Sequence, residues 1–96
     1  MTIERLLAEK REEILQLAAS RGARNVRIFG SVARGEARED SDIDLLVDVE
    51  SGRSLLDMIG LWLDLQELLG RKVDLLTEGG VNRHLRDRIL AEARPL

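Results

Sequence analysis

Two short motifs at a fixed distance constrain this chain more than anything else in it. Gly30-Ser31 is followed, after ten intervening residues, by Asp42-Ile43-Asp44. An Asp-x-Asp carried on a strand puts both carboxylates on one face, because strand side chains alternate with a period of two. Two like charges held side by side repel, by about 4 kcal/mol at ~4 Å and an effective dielectric of about 20. A fold keeps such a pair most easily when a divalent cation lies between them. Gly30-Ser31 offers the complement: a backbone with no side chain in the way, then a hydroxyl and an amide that can face an anion. Together the two halves read as nucleoside-triphosphate chemistry.

Size and charge narrow what surrounds these motifs. At 96 residues the chain is expected to form one domain over 1–96. The net charge of −3 gives no general attraction for nucleic acid or an anionic membrane. Phe29 and Trp62 are the only aromatics, so no platform exists for stacking bases in series. There is no cysteine, hence no disulfide and no thiolate ligand, which fits a cytoplasmic protein. Met1-Thr2-Ile3-Glu4-Arg5 reads as the start of a charged amphipathic helix rather than a signal peptide. No apolar run approaches the ~20 residues of a membrane span.

Along the chain, Thr2 is placed to cap a helix carrying Ile3, Leu6, Leu7, Ile14, Leu17 and Ala18 at helical spacing, ended by Gly22. Asn25–Phe29 alternates and is β-branched, so it predicts a strand. Gly30-Ser31 breaks that strand, and Val32-Ala33-Arg34 begins a short helical turn with Ser31 near its N-cap. A polar loop, Glu39-Asp40-Ser41, leads to a second strand over Ile43–Val49. From Ser54, Leu55, Met58, Ile59, Trp62, Leu63 and Leu69 mark a long helix closed by Gly70. Lys72–Leu76 predicts a third strand. Asn82 is placed to cap a last helix, with Leu85, Ile89, Leu90 and Ala93 on one face and Pro95 as its stop. The expected fold is α/β (α+β), a small mixed sheet backed by helices in the order α-β-α(short)-β-α-β-α. Strand directions stay open.

Asp74 sits between Val73 and Leu75 in the third strand, and aspartate is depleted in strands. Read blandly, it faces solvent on an edge. Beside Asp42 and Asp44 it becomes a third carboxylate on a neighbouring strand, able to complete a hard-oxygen site for Mg²⁺. Arg34 and Arg38 follow the Gly-Ser and either steady an anion or lie on a solvated face. Asp48 and His84 read as solvent-facing. Met58 and Trp62 read as core or interface, and Arg83, Arg86, Arg88 and Arg94 as either a solvated face or a patch for an acidic partner.

The run from Phe29-Gly30-Ser31 to Asp42-Ile43-Asp44-Leu45-Leu46-Val47, in this order of strand, turn, loop and strand, resembles the signature of the DNA polymerase β-type nucleotidyltransferase superfamily. More closely, nearly the full length is similar to the minimal nucleotidyltransferases of prokaryotes, antitoxins that pair with HEPN-domain ribonuclease toxins. The resemblance implies that Gly30 and Ser31 hold the triphosphate; Arg34, by its place just after them, is the further candidate contact. It implies that Asp42 and Asp44 bind two Mg²⁺ ions bridging the phosphates, and that Asp74 ligates one metal and helps deprotonate the acceptor hydroxyl. The implied activity is transfer of AMP from ATP to a tyrosine of a cognate HEPN toxin. The chain cannot modify a tyrosine of its own, since it has none. Two alternatives stay open: a non-catalytic module that occludes its partner, or transfer to a small molecule or an RNA end. No direct nucleic-acid or membrane binding is expected, and a homo-oligomer is left open.

Overall fold

A computed structural model describes residues 2–96. The chain forms α1 (Ile3–Ser20), β1 (Ala23–Phe29), α2 (Gly30–Ala33), β2 (Ile43–Val49) and α3 (Leu55–Leu69). After these come β3 (Val73–Thr77), a 3₁₀ turn at Glu78–Gly80, α4 (Arg83–Glu92) and a two-residue β4 (Arg94–Pro95). The sheet order is β3-β2-β1-β4, with β2–β3 parallel and β1 antiparallel to both its neighbours.

Local chemistry explains most boundaries. The Thr2 hydroxyl accepts from the Arg5 N–H, and Asn82 Oδ1 accepts from the His84 N–H, each satisfying a donor that the first helical turn leaves free. The Ser54 N–H donates to Asp57 Oδ2 at the start of α3. Gly70 ends α3 at φ +62°, a left-handed conformation that costs glycine little.

The sheet separates two apolar clusters. Ile43, Leu45 and Val47 of β2 join α1 (Ile3, Leu7, Ile14, Ala18) and α3 (Leu61, Leu65, Leu69) on one face. Leu46, pointing the other way, meets Phe29 of β1 and Ile89 of α4. Alternation along β2 therefore serves both layers, and Leu45 and Leu46 are both fully buried. Each such side chain contributes roughly 1.5–3 kcal/mol.

Two expectations are corrected. The sheet has a fourth strand: Pro95 does stop α4, but the chain then pairs Arg94 and Pro95 with Ile28 and Arg27. Proline is tolerated there because β4 is an edge. Ser31 is not an N-cap; Phe29 holds that position, and the Ser31 hydroxyl falls inside α2. The positive φ of Gly30 turns the chain into the helix two residues early. The inward stripe of α3 is Leu61, Leu65 and Leu69, whereas Leu55, Ile59 and Leu63 are exposed. Apolar residues surround this helix, so their spacing shows a helix without choosing its buried face. Of the arginines Arg83, Arg86, Arg88 and Arg94, all exposed, Arg86 pairs with Glu78 at 3.6 Å and Arg94 donates to the Ala33 carbonyl.

Candidate active site

Strand register gathers the site. Asp44 lies opposite Phe29 on the β1 side and opposite Asp74 on the β3 side. Neighbours in a parallel ladder point to the same face, so Asp44 and Asp74 share one, the face that also carries Leu46. The residue after Phe29 is Gly30, which the same register sets over Asp44. A Cβ on Gly30 would overlap the Asp44 carboxylate, and its φ is +71°. Two independent constraints therefore demand glycine here, one conformational and one of space.

Asp42 precedes β2, and its carboxylate pairs with Lys72 Nζ at 3.9 Å. It shares with Asp74 a groove of about 420 Å³ lined also by Met58 and Trp62. Asp44 is half-buried. Burial, then the charges of Asp74 and Asp42, push its carboxyl up to about 6, against the smaller opposing pull of Arg34. Among the described residues, no three His, Cys, Asp or Glu side chains form a ready-made metal cage. The three carboxylates make an open acidic corner, not a closed one.

On the other side of Gly30 stands a residue that sequence reasoning missed. Glu92, in the last turn of α4, accepts from the Gly30 N–H at 2.9 Å and from Arg34 Nη1 at 3.1 Å. Arg34 Nε also donates to Glu36 at 3.3 Å. The hydrogen bonds to Glu36 and Glu92 hold the Arg34 guanidinium above its ordinary pKa. Burial pushes the Glu92 carboxyl up, but the Gly30 amide and Arg34 together outweigh it and leave it below the usual range. A signal for Glu92 did exist: a carboxylate in the last turn of a helix opposes the helix dipole and needs a compensating partner.

The other candidates sit apart. Arg38 is exposed, and its N–H donates to Ser41 Oγ within the loop before β2. Asp48 hydrogen-bonds Asn25 and pairs with Arg27 at 2.7 Å; the Asn25 bond leads in holding its carboxyl below the usual range. His84 is exposed on α4.

A glycine turn seated on an Asp-x-Asp strand, with a third aspartate in register beside it, coincides with a sequence-level match. The family model for the nucleotidyltransferase domain covers residues 7–96. The chain belongs to that family. A candidate protein adenylyltransferase of Methanocaldococcus jannaschii is 45% identical to this nucleotidyltransferase over 85 residues, covering 88% of the chain and 91% of that relative. The protein adenylyltransferase MntA of Thermococcus cleftensis is 40% identical, over 94% of the chain and 88% of its own length. The solved structure of a candidate minimal nucleotidyltransferase superposes with a TM-score of 0.86 at 56% identity, over 100% of this chain and 97% of that one. A toxin–antitoxin structure with AMP-PNP shares the fold at a TM-score of 0.75 and 21% identity, over 88% of this chain and 69% of that one. No helix among the described residues is long and apolar enough to cross a membrane.

Proposed function

We propose that this nucleotidyltransferase transfers AMP from ATP to a hydroxyl of a partner protein, a tyrosine of a cognate HEPN ribonuclease toxin, and so acts as an antitoxin. The observation that carries this is the seating of Gly30, just past β1, against the Asp44 carboxylate, with Asp74 in register on the other side of Asp44. The adenylyltransferase names of the relatives and the toxin–antitoxin neighbour support the acceptor class.

In this reading Gly30, Ser31 and Arg34 hold the phosphates, which displace the Glu92 carboxylate from the Gly30 N–H and from Arg34, and the acceptor arrives from the β3 side. The acceptor oxygen attacks the α-phosphorus, a new P–O bond forms, and the bond from that phosphorus to the β-bridging oxygen breaks. Pyrophosphate leaves. The hydroxyl proton passes to the Asp74 carboxylate, the one nearest the open edge. Asp42, Asp44 and Asp74 would hold Mg²⁺, and their chemistry fits it: all are hard oxygen donors, and Asp44 is disfavoured as an anion by burial and then by its two neighbours. An open corner suits an ion that takes one or two carboxylates and completes its shell with substrate phosphates and water. Bound divalent ions supply neutralisation of charge on the attacking and leaving oxygens.

The test uses ATP labelled at either the α- or the γ-phosphate, with Mg²⁺ and the partner toxin. The reading predicts covalent α-label on the toxin and no γ-label. Covalent γ-label, or no label with a folded partner, contradicts it.

A further inference from the structure

We propose that the groove between α3 and the outer edge of β3 docks an amphipathic helix of the acceptor protein, bringing its hydroxyl to Asp74. The proposal rests on the transfer reading and adds the surface that reading requires. The site is laid out as a line across the sheet. Glu92, Arg34 and Gly30 lie on the β1 side, Asp44 in the middle, and Asp74 on β3, the edge strand. With Gly30 and Arg34, the groups read as phosphate-holding, at one end, an acceptor has the other end free.

That end is apolar where the rest of the surface is charged. Leu55, Leu56, Ile59, Trp62 and Leu63 are exposed on α3, the two leucines at its start by 75% each. An exposed stripe of large apolar side chains on one helix is characteristic of an interaction surface. The groove beside it is continuous with the carboxylates, because Asp42 and Asp74 line it together with Leu55, Met58, Ile59 and Trp62.

The edge itself selects the kind of occupant. An open edge strand invites a partner strand. At Val73, however, both backbone groups are taken by α3: the carbonyl accepts from Trp62 Nε1 at 2.7 Å, and the N–H donates to Gln66 Oε1 at 3.1 Å. Strand addition is blocked at that level, and the same hydrogen bond fixes the indole across the groove. The surface therefore suits side-chain anchors at i, i+4 and i+7, the pattern an amphipathic helix presents. Lys72 already pairs with Asp42 at 3.9 Å, so Asp74 is the carboxylate that favours an occupant carrying lysine or arginine beside its hydroxyl. A second copy of this chain is the competing occupant, since a two-fold contact sets the same apolar patch against itself, and sedimentation distinguishes it.

The probe is a fluorescein-labelled synthetic peptide of roughly 18 residues, long enough to be helical, with leucines at i, i+4 and i+7, lysines and a tyrosine. Its binding to the full chain is read by anisotropy without ATP, and tyrosine labelling is read separately with α-labelled ATP and Mg²⁺. Circular dichroism confirms that the variants fold. The expected result is binding that weakens about tenfold in Ile59→Glu and in Leu55→Glu, both of which line the groove, and is lost with a scrambled peptide. Equal binding to all variants, or equal binding of the scrambled peptide, overturns the proposal. So does sedimentation showing a wild-type dimer that Ile59→Glu dissociates. Labelling that both variants leave unchanged overturns docking while leaving transfer intact. Groove-dependent binding without label on any acceptor supports docking and counts against transfer instead.

Discussion

Gly30 and Asp44 compete for the same volume: a Cβ on Gly30 would lie 2.9 Å from Asp44 Cγ and still closer to one carboxylate oxygen. The turn that presents the Gly30 amide and the strand that presents the Asp44 carboxylate are thus fitted to each other. Neither half of the sequence signature is positioned without the other.

Gly30→Ala tests that fit. The methyl group strains a backbone held at φ +71°, at a cost of about 1–2 kcal/mol, and displaces the carboxylate. Chemical denaturation should show a loss of that size. AMP transfer should fall much further than stability does, by about 100-fold, since small misplacements of reacting groups are expensive. If transfer falls no more than the loss of folded protein explains, the fit has no catalytic meaning.

Removing the charge of Asp44 should stabilise the metal-free protein. Its folded pKa is raised to about 6 from 3.8, so the folded state holds the proton more tightly than the unfolded state. Its favourable contribution is complete below about pH 4 and is lost as pH rises through about 6. The full shift corresponds to ~3 kcal/mol, which solvent screening of a half-exposed group reduces to about 1 kcal/mol. Asp44→Asn should therefore exceed wild type by about that amount at pH 7, with the gap closing near pH 4. A gap that is constant with pH, or of opposite sign, would show that burial and the neighbouring carboxylates do not burden the Asp44 anion.

Glu92 predicts the reverse slope. Its folded pKa is lowered, so its contribution is present above the ordinary carboxylate range and is lost as pH falls through the folded value. Glu92→Gln should cost about 1 kcal/mol at pH 7, the upper range for a partly exposed pair. That difference should shrink on acidification. Urea melts of both proteins at several pH values measure it.

The helix and strand cores of this fold were legible because caps and alternation are local: Thr2, Asn82 and Gly70 act where their chemistry places them. So was the pairing of Asp74 with Asp44, since an aspartate between valine and leucine asks for a reason. Strand direction was not legible, because it depends on which elements pack together. Nor was β4, whose two residues carry no periodicity and form only by pairing with Arg27 and Ile28. The buried side of α3 was hidden by apolar residues all round it. Glu92 was hidden by distance, its partners Gly30 and Arg34 lying 62 and 58 residues away.

The most direct test of the whole account measures single-turnover AMP transfer by Asp42→Asn, Asp44→Asn, Asp74→Asn and the Asp42/Asp44 double variant, each shown to be folded. Residues acting as a unit give strongly non-additive losses. Each single change should cost nearly as much as the double, roughly 1000-fold or more. Wild-type transfer by any one of the three single variants would contradict the claim that these carboxylates form one catalytic site.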